Sequence, residues 1–397
     1  MDGCEHEADV SWGQARRRAR ELGESLPVPV RDLPLEHAAG GVLARDVHAL
    51  VGLPAYDASA MDGYALAGPG PWRLVGRHLA GGAGPCRALG PGEAVEIATG
   101  ARVPKGTESV LPYERARVGH DPDSGGSRVT GEVEHGRHVR WSGEETALGE
   151  TVLTVGHRVG PATLGIAASL GHESLPLRTP TVTIVVTGDE ITRSGLPGDG
   201  RVRDAIGPIM PGVASWAGAH VEPVRYLGDE RTELAEVMAG GDTDVVVVCG
   251  SSSKGPADHV RSILAEAGAE TLVDGVRCRP GHPQLLARSG DRVVVSLPGN
   301  PGAAMVAALT LFTPLVSALA GRQDPARVEG RFTVDGEVGS HPRDTRLVAV
   351  RVEEGRAVPV GHDRPGSLRG AALADAYAVI PPGPQGRRNA VELVRVP

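Results

Sequence analysis

Asp244-Val-Val-Val-Val-Cys249, then Gly250-Ser-Ser-Ser-Lys254-Gly255-Pro256, then Ala257-Asp258-His-Val-Arg261, reads as strand, loop and helix in immediate succession. A run of valines with no polar alternation suits a strand covered on both faces, as inside a parallel sheet. The Gly/Ser loop that follows belongs at the carboxyl edge of that sheet, where open α/β folds bind ligands. It offers backbone N–H groups, hydroxyls, a lysine and the amino end of a helix, all suited to an anion. Lys105 and Lys254 are the two lysines of a chain whose other cations are arginines, so Lys254 stands out, although a solvated loop lysine is the plain alternative. The loop lacks Gly-x4-Gly-Lys-Ser/Thr, which argues against a nucleotide triphosphatase.

Outward from this stretch, strands and helices alternate. Strands are expected at 181–186, 221–226, 244–249, 276–278, 284–287 and 292–296. Helices are expected at 207–218, 230–238, 257–267 and 303–319. The alternation predicts a three-layer α/β domain with right-handed crossovers. Upstream, 10–23 reads as a surface helix with its arginines on the solvated face, 42–51 as strand and 161–170 as a second helical piece. Between about 65 and 144, short apolar pieces alternate with Gly, Pro and Asp clusters, the pattern of an all-β domain with a hairpin tip at 120–127. Short strands return from about 327 to the end, and no internal repeat is visible.

The bulk properties narrow the function. A chain of 397 residues holds roughly two to four domains. A net charge of −8 argues against nucleic acid as a partner. No run of the sequence reads as a bilayer span of roughly 20 apolar residues. The start, Met-Asp-Gly-Cys-Glu-His-Glu, lacks a signal-peptide pattern. Cys4, Cys86, Cys249 and Cys278 are far apart with no Cys-x-x-Cys pair, as expected of reduced thiols in a cytoplasmic protein. Cys249, at a strand end, reads as a small buried hydrophobe.

Six loops collect polar residues that a core would exclude. They are Asp57-Ala-Ser-Ala-Met-Asp62-Gly-Tyr64, Ala98-Thr99-Gly-Ala-Arg-Val-Pro-Lys-Gly106, Ser142-Gly-Glu-Glu145, Thr187-Gly-Asp189-Glu190, the opening loop with Asp258, and the pair Arg279-Pro-Gly-His282-Pro283 and Leu297-Pro298-Gly-Asn300-Pro301. Each alone has an ordinary explanation. Asp-Gly and Thr-Gly are turn chemistry, Thr187-Gly-Asp-Glu can cap a helix, and Pro301 suits a first helical position. Together they supply Asp189, Glu190 and Asp258 for a hard cation such as Mg²⁺. They also supply Lys254, Arg279, His282 and backbone amides for oxyanions. Carboxylates and cations at one sheet edge point to metal-assisted chemistry on a phosphorylated ligand.

At these loops the chain resembles the molybdopterin molybdenumtransferase family, the MoeA proteins and gephyrin E-domain-like proteins. Ser59-Ala-Met-Asp-Gly-Tyr-Ala65, Thr99-Gly-Ala-Arg-Val-Pro-Lys-Gly106, Thr187-Gly-Asp-Glu190, Pro280-Gly-His-Pro283 and Leu297-Pro-Gly-Asn-Pro301 stand in the family's order and approximate spacing. The resemblance implies a multidomain α/β plus β protein. It would have a discontinuous helical linker domain (1–45 and 145–176), an inserted β domain (46–144), a three-layer α/β molybdopterin-binding domain (177–322) and a carboxyl-terminal β-barrel (327–397). It implies a homodimer, with molybdopterin adenylyltransferase acting upstream. The implied reaction is Mg²⁺-dependent insertion of molybdate into adenylylated molybdopterin with release of AMP. Asp189, Glu190 and Asp258 would hold the metal. Lys254, Ser253, Arg279 and His282 would hold molybdate, with Gly250, Ser251, Asn300, Pro298 and Pro301 shaping the pocket. Asp62 and Thr99 would reach in from the second subunit.

The chain also departs from the family's pattern. Where the family has Gly-Gly-x-Ser-x-Gly-Asp-x-Asp, this chain reads Gly250-Ser251-Ser-Ser253-Lys254-Gly-Pro256-Ala-Asp258. The family's Asp-Ser-Asn is Asp204-Ala-Ile206, and the lysines of its Lys-Pro-Gly-Lys-Pro are Arg279 and His282. Arg279 keeps the charge with a different geometry, and a neutral His282 weakens an oxyanion site. A non-catalytic molybdopterin-binding carrier of the same fold is the alternative, and tungstate is the alternative oxyanion.

Overall fold

The computed structural model describes residues 9–81, 87–120, 125–250, 259–384 and 390–397. Within it, strands Thr181–Thr187, Val245–Cys249 and Arg292–Leu297 lie side by side and parallel, with Val182 opposite Val245 and Val245 opposite Val293. All four valines of Val245–Val248 are fully buried. Val245, Val247 and Cys249 pack with Met210, Val213 and Phe312 from helices on one face, and Val246 and Val248 with Leu234, Val260 and Leu264 from helices on the other. Both faces are covered, which is why no polar alternation survives in the run.

Two features of this sheet differ from the expected series. Leu285–Ser289 and Glu270–Asp274 complete one edge in antiparallel pairing. Val276–Arg279 leaves the sheet and instead runs parallel between Val10–Ser11 and Thr345–Glu353, in a second sheet with the carboxyl-terminal strands. In that second sheet, Thr345–Glu353 pairs with Arg356–Pro359 and Ala376–Ile380, and the latter with Glu392–Arg395. Thr333–Val334 pairs with Arg356–Pro359 at one end of this path, and beside it Phe332 and Val391 exchange both backbone hydrogen bonds, at 2.9 Å each, joining it to the other end around a core of Val334, Val348, Val350, Ala378, Ile380 and Leu393.

The chain divides into two compact units, Met1–Asp32 with Gly40–Ala44 and Pro176–Pro397, and Leu33–Ala39 with Arg45–Leu175. Helix Trp12–Ser25 joins the first unit because its apolar stripe, Trp12, Ala15, Ala19, Leu22 and Gly23, packs on the long helix Pro301–Leu319. Ser11 and Gln14 form a capping box at its start. Helix Pro161–Ser169 stays in the second unit. The stretch 42–51 is mostly irregular, with strand only at Val47–His48.

The long helix is the one helix among the described residues with the length and composition to cross a membrane, and 94% of its apolar window is buried inside the first unit. It is the core helix of that unit. Its middle, Ala308–Phe312, is wound as a π-turn, so the N–H of Thr313 bonds to Ala308 O and the carbonyl of Leu309 is left over. The Arg16 guanidinium takes that carbonyl and pairs with Asp324, while the Trp12 indole N–H donates to Thr310 Oγ1 at 3.1 Å. Arg16 therefore does not share the solvated face expected for the arginine run. Burial pushes its pKa down, against the opposing pull of Asp324.

In the second unit, six strands form one mixed sheet in the order Ser109–Pro112, Gly63–Ala67, Glu93–Ile97, Trp72–His78, Ser127–Thr130, Arg117–His120. Side chains alternate between its two faces, Ala65, Val95 and Val110 on one and Tyr64, Leu66, Trp72 and Leu111 on the other. The last two strands form the expected hairpin, His120 facing Ser127.

Gly23 marks the closest approach of the two docked helices. A Cβ there would stand 2.5 Å from Leu315 O and 2.8 Å from the Ala318 Cβ. Gly23→Leu should therefore destabilise the protein by about 1–3 kcal/mol, read as a lower Tm in thermal denaturation. An unchanged Tm would show that the helices do not meet there.

Candidate functional site

The ends of the three parallel strands are stitched together. Thr187 Oγ1 donates to Cys249 O at 3.3 Å and Gly250 N to Leu297 O at 3.1 Å. Gly250 has φ 116°, and a Cβ there would stand 2.7 Å from Thr187 O. Glycine is thus required where the loop leaves the strand. Three of the loops singled out from sequence consequently start within one small area of the carboxyl edge. Ser251, Ser253, Lys254 and Asp258 lie outside the described residues.

Asp189 and Glu190 follow the first of these strands, and both are exposed. Asp189 Oδ1 accepts from the N–H of Asp229 at 3.4 Å, and its carbonyl accepts from Arg201. The Glu190 carboxylate folds back over Gly188, so close that a Cβ on Gly188 would meet Oε2 at 2.5 Å. Beside them Asp204, 8% exposed, caps the next helix: Oδ1 accepts from the N–H groups of Ile206 (2.9 Å) and Gly207 (3.0 Å), and Oδ2 from the Tyr226 hydroxyl (2.9 Å). The Ile206 position therefore contributes its backbone to the cap and only an apolar side chain otherwise. Arg193 stacks on the Tyr226 ring at 4.3 Å. Burial, then the hydrogen bond to Asp204, raises the Tyr226 pKa. Burial, with a smaller contribution from Asp204, pushes up the Cys249 thiol, so Cys249 is an inert core residue.

The third strand end leads through buried Pro298 and exposed Asn300 into the long helix, with Pro301 at its first position. The segment 364–367 crosses that helix start. Ala303 N bonds to Pro365 O at 3.0 Å, and a Cβ on Gly302 would stand 2.5 Å from Ser367 O.

Arg279 and His282 reach this area from the second sheet. Gly281 lies against the first turns of the long helix, where a Cβ would be 3.1 Å from Ala303 O. Neither cationic position is unopposed. Arg279 Nε donates to Asp344 Oδ2 at 2.6 Å, and His282 Nε2 lies 3.0 Å from Asp9 Oδ2. Sequence reasoning missed Asp344 and also Arg346, which stands opposite Arg279 in the parallel pair and binds Asp363 at 2.5 Å. The alternation of Thr345–Glu353 marks a strand, but only its pairing partner shows that Arg346 joins Arg279.

In the second unit, three loops meet independently. Ser59 pairs with Val139 and Ala58 with Arg140, and Ser59 N bonds to Ala101 O at 2.9 Å. This brings Asp62 and Thr99 together: Asp62 Oδ1 accepts from Thr99 N at 2.7 Å. Asp57 Oδ1 accepts from Ser142 N at 2.8 Å, Arg102 stacks on Tyr56 at 5.1 Å, and Arg140 pairs with Glu144 and Glu145. The result is an exposed polar surface with Met61 and Trp141 at 37% and 44% exposure.

Comparison with known proteins assigns all three stretches of the chain. Residues 10–171 match the family model "MoeA N-terminal region (domain I and II)", 183–318 match "Probable molybdopterin binding domain" and 333–392 match "MoeA C-terminal region (domain IV)". The chain is 31% identical over 369 residues to molybdopterin molybdenumtransferase 2 of Mycobacterium tuberculosis, covering 88% of this chain and 90% of that protein. It is 29% identical over 372 residues to molybdopterin molybdenumtransferase of Bacillus subtilis, covering 89% and 86%. In fold it is similar to the crystal structure of a molybdopterin biosynthesis MoeA protein from a Pyrococcus species, with TM-score 0.71 and 23% identity over 98% of this chain and 99% of that one.

The Asp204 cap yields a stability expectation. Asp204→Ala removes two N–H partners and strands the Tyr226 hydroxyl, at a cost of about 1–3 kcal/mol, whereas Asp204→Asn keeps one acceptor and should recover part of it. Equal urea midpoints for wild type and Asp204→Ala would show that the carboxylate does not support this helix.

Proposed function

The chain belongs to the molybdopterin molybdenumtransferase family and is an enzyme of molybdenum cofactor biosynthesis, and on that premise we propose that it inserts molybdate into adenylylated molybdopterin, with loss of AMP, at the carboxyl edge of its parallel sheet. The observation that carries this reading is the convergence of the Thr187, Gly250 and Leu297 strand ends, with two exposed carboxylates on one side and the Arg279 loop on the other. An oxygen of water or molybdate would attack the phosphoanhydride, AMP would leave, and the dithiolene sulfurs would take the metal, with the displaced molybdate oxygens departing as water.

The donor set fits Mg²⁺. Asp189 and Glu190 offer hard oxygens in the open, and Mg²⁺ commonly takes one or two carboxylates and completes its shell with water and substrate phosphate. Asp189, Glu190 and Asp258 are the residues we assign to it. When bound there, the ion supplies screening of the phosphates and stabilisation of the leaving AMP. Arg279, His282, Ser253 and Lys254 would orient the oxyanion, and Gly250, Ser251, Asn300 and the walls at Pro298 and Pro301 would confine the pterin-bearing substrate.

Asp62 and Thr99 are assigned to the active site of the other subunit of a homodimer. The 2.7 Å bond from Thr99 N to Asp62 supports treating them as one unit, because the carboxylate fixes the Thr99 loop. We also read the strands of 327–397, joined end to end through Phe332 and Val391, as the small barrel of the family. The molybdopterin adenylyltransferase that supplies the adenylylated substrate is the natural upstream partner, and a cytoplasmic location goes with it.

Two experiments test this reading. AMP release from adenylylated molybdopterin should require both Mg²⁺ and molybdate, and Asp189→Ala and Glu190→Ala should each slow it at least roughly tenfold with little change in stability, since both side chains are exposed. Tight substrate binding without AMP release would instead make the protein a carrier. Mixed dimers of an Asp62→Ala subunit and a Glu190→Ala subunit should regain activity through one intact composite site, and no recovery would rule out sharing between subunits.

A further inference from the structure

We propose that Asp344 tunes how strongly this protein takes its oxyanion, acting as an internal carboxylate that competes for Arg279. The proposal rests on the reading above that Arg279 lines the oxyanion site. Arg279 Nε donates to Asp344 Oδ2 at 2.6 Å, with the arginine side chain 62% exposed and the aspartate 13% exposed. The acid is thus the fixed member of the pair and the guanidinium the movable one.

The surroundings keep Asp344 in place. His341 Nδ1 accepts from the N–H groups of Arg343 (3.3 Å) and Asp344 (3.0 Å), closing the 341–344 turn, and lies 3.1 Å from Asp344 Oδ2. Strand pairing then sets Arg279 opposite Arg346, and Arg346 is held in its turn by Asp363 (2.5 Å) and by Gly339 O (2.5 Å). The register thus puts two arginines side by side in the sheet, and each pairs with a carboxylate. Without those acids the adjacent arginines would repel one another, and any small anion would be attracted. With them, an incoming oxyanion meets an Arg279 charge that Asp344 already partly neutralises. The Arg279 side chain makes no other hydrogen bond among the described residues, so its two terminal nitrogens can meet an oxyanion while Asp344 draws on the same charge. Asp344 is a positioning residue in this scheme, because it acts through Arg279.

A double-mutant cycle tests this, with molybdate itself as the probe. Asp344→Asn keeps size and a hydrogen-bond acceptor but removes the charge. It should lower the molybdate concentration for half-maximal AMP release roughly two- to five-fold, the range expected for a partly exposed ion pair, with kcat unchanged. Direct molybdate titration by calorimetry should shift by the same factor. In an Arg279→Ala background the same substitution should have no effect. If Arg279→Ala weakens the molybdate response but Asp344→Asn leaves it unchanged or weakens it, the competition is disproved while the site assignment stands. If Arg279→Ala itself leaves the molybdate response unchanged, Arg279 is not at the oxyanion site and the proposal falls with that assignment. A lower kcat for Asp344→Asn at unchanged half-saturation would reveal a structural role instead.

Discussion

A strand of four valines and a cysteine has no face to give to water, and that constraint organises the larger unit. Both sides of Val245–Cys249 must be covered, so helices are committed to each face and neither face is open to a ligand. What remains accessible is the sheet's edge, where the backbone has to turn. Parallel neighbours put several such turns in one place, and the requirement for glycine at Gly250 shows how closely the turns approach one another. The location of the candidate chemistry is therefore a by-product of packing, whereas its identity comes from the side chains at the turns.

Those side chains show an economy of charge. Arg279, Arg346, Arg16 and the His282 position each face an acid. Asp189 and Glu190, at the end of the first parallel strand, are exposed and form no ion pair among the described residues. The proposed site would thus present negative groups to a cation and partly neutralised positive groups to an anion. In the second unit the Tyr113 hydroxyl donates to Glu96 at 2.8 Å, and burial, with Glu96, pushes its pKa up to about 12.

Much of the fold was legible because burial leaves a mark on composition. The valine run, the alternation of strands with helices and the Gly-bounded short strands of 65–144 could all be read locally. The destination of Val276–Arg279 could not, since three or four residues of strand carry no record of which sheet they enter. Arg16 was misread for a related reason: its neighbours Arg17 and Arg18 are exposed, and helical periodicity alone does not reveal that a distant π-turn leaves a carbonyl for one of them. The loops of the candidate site were legible by residue type, but their counter-ions were not. Asp344, Asp9 and Asp363 lie on segments that give no local sign of facing Arg279, His282 and Arg346.

The bond between Arg16 and Leu309 joins residues 293 positions apart, and that between Trp12 and Thr310 joins residues 298 apart. During synthesis the first helix therefore emerges with its docking surface still to be made. The nearly contiguous 45–175 unit has all of its own strands long before then. Its assembly can be finished while Trp12, Ala15, Ala19 and Leu22 are still exposed, awaiting the core helix near the other end of the chain. The first helix thus waits for residues 301–319 before its stripe is covered, and a chain ending before residue 300 would leave that stripe as a target for chaperones rather than part of a core.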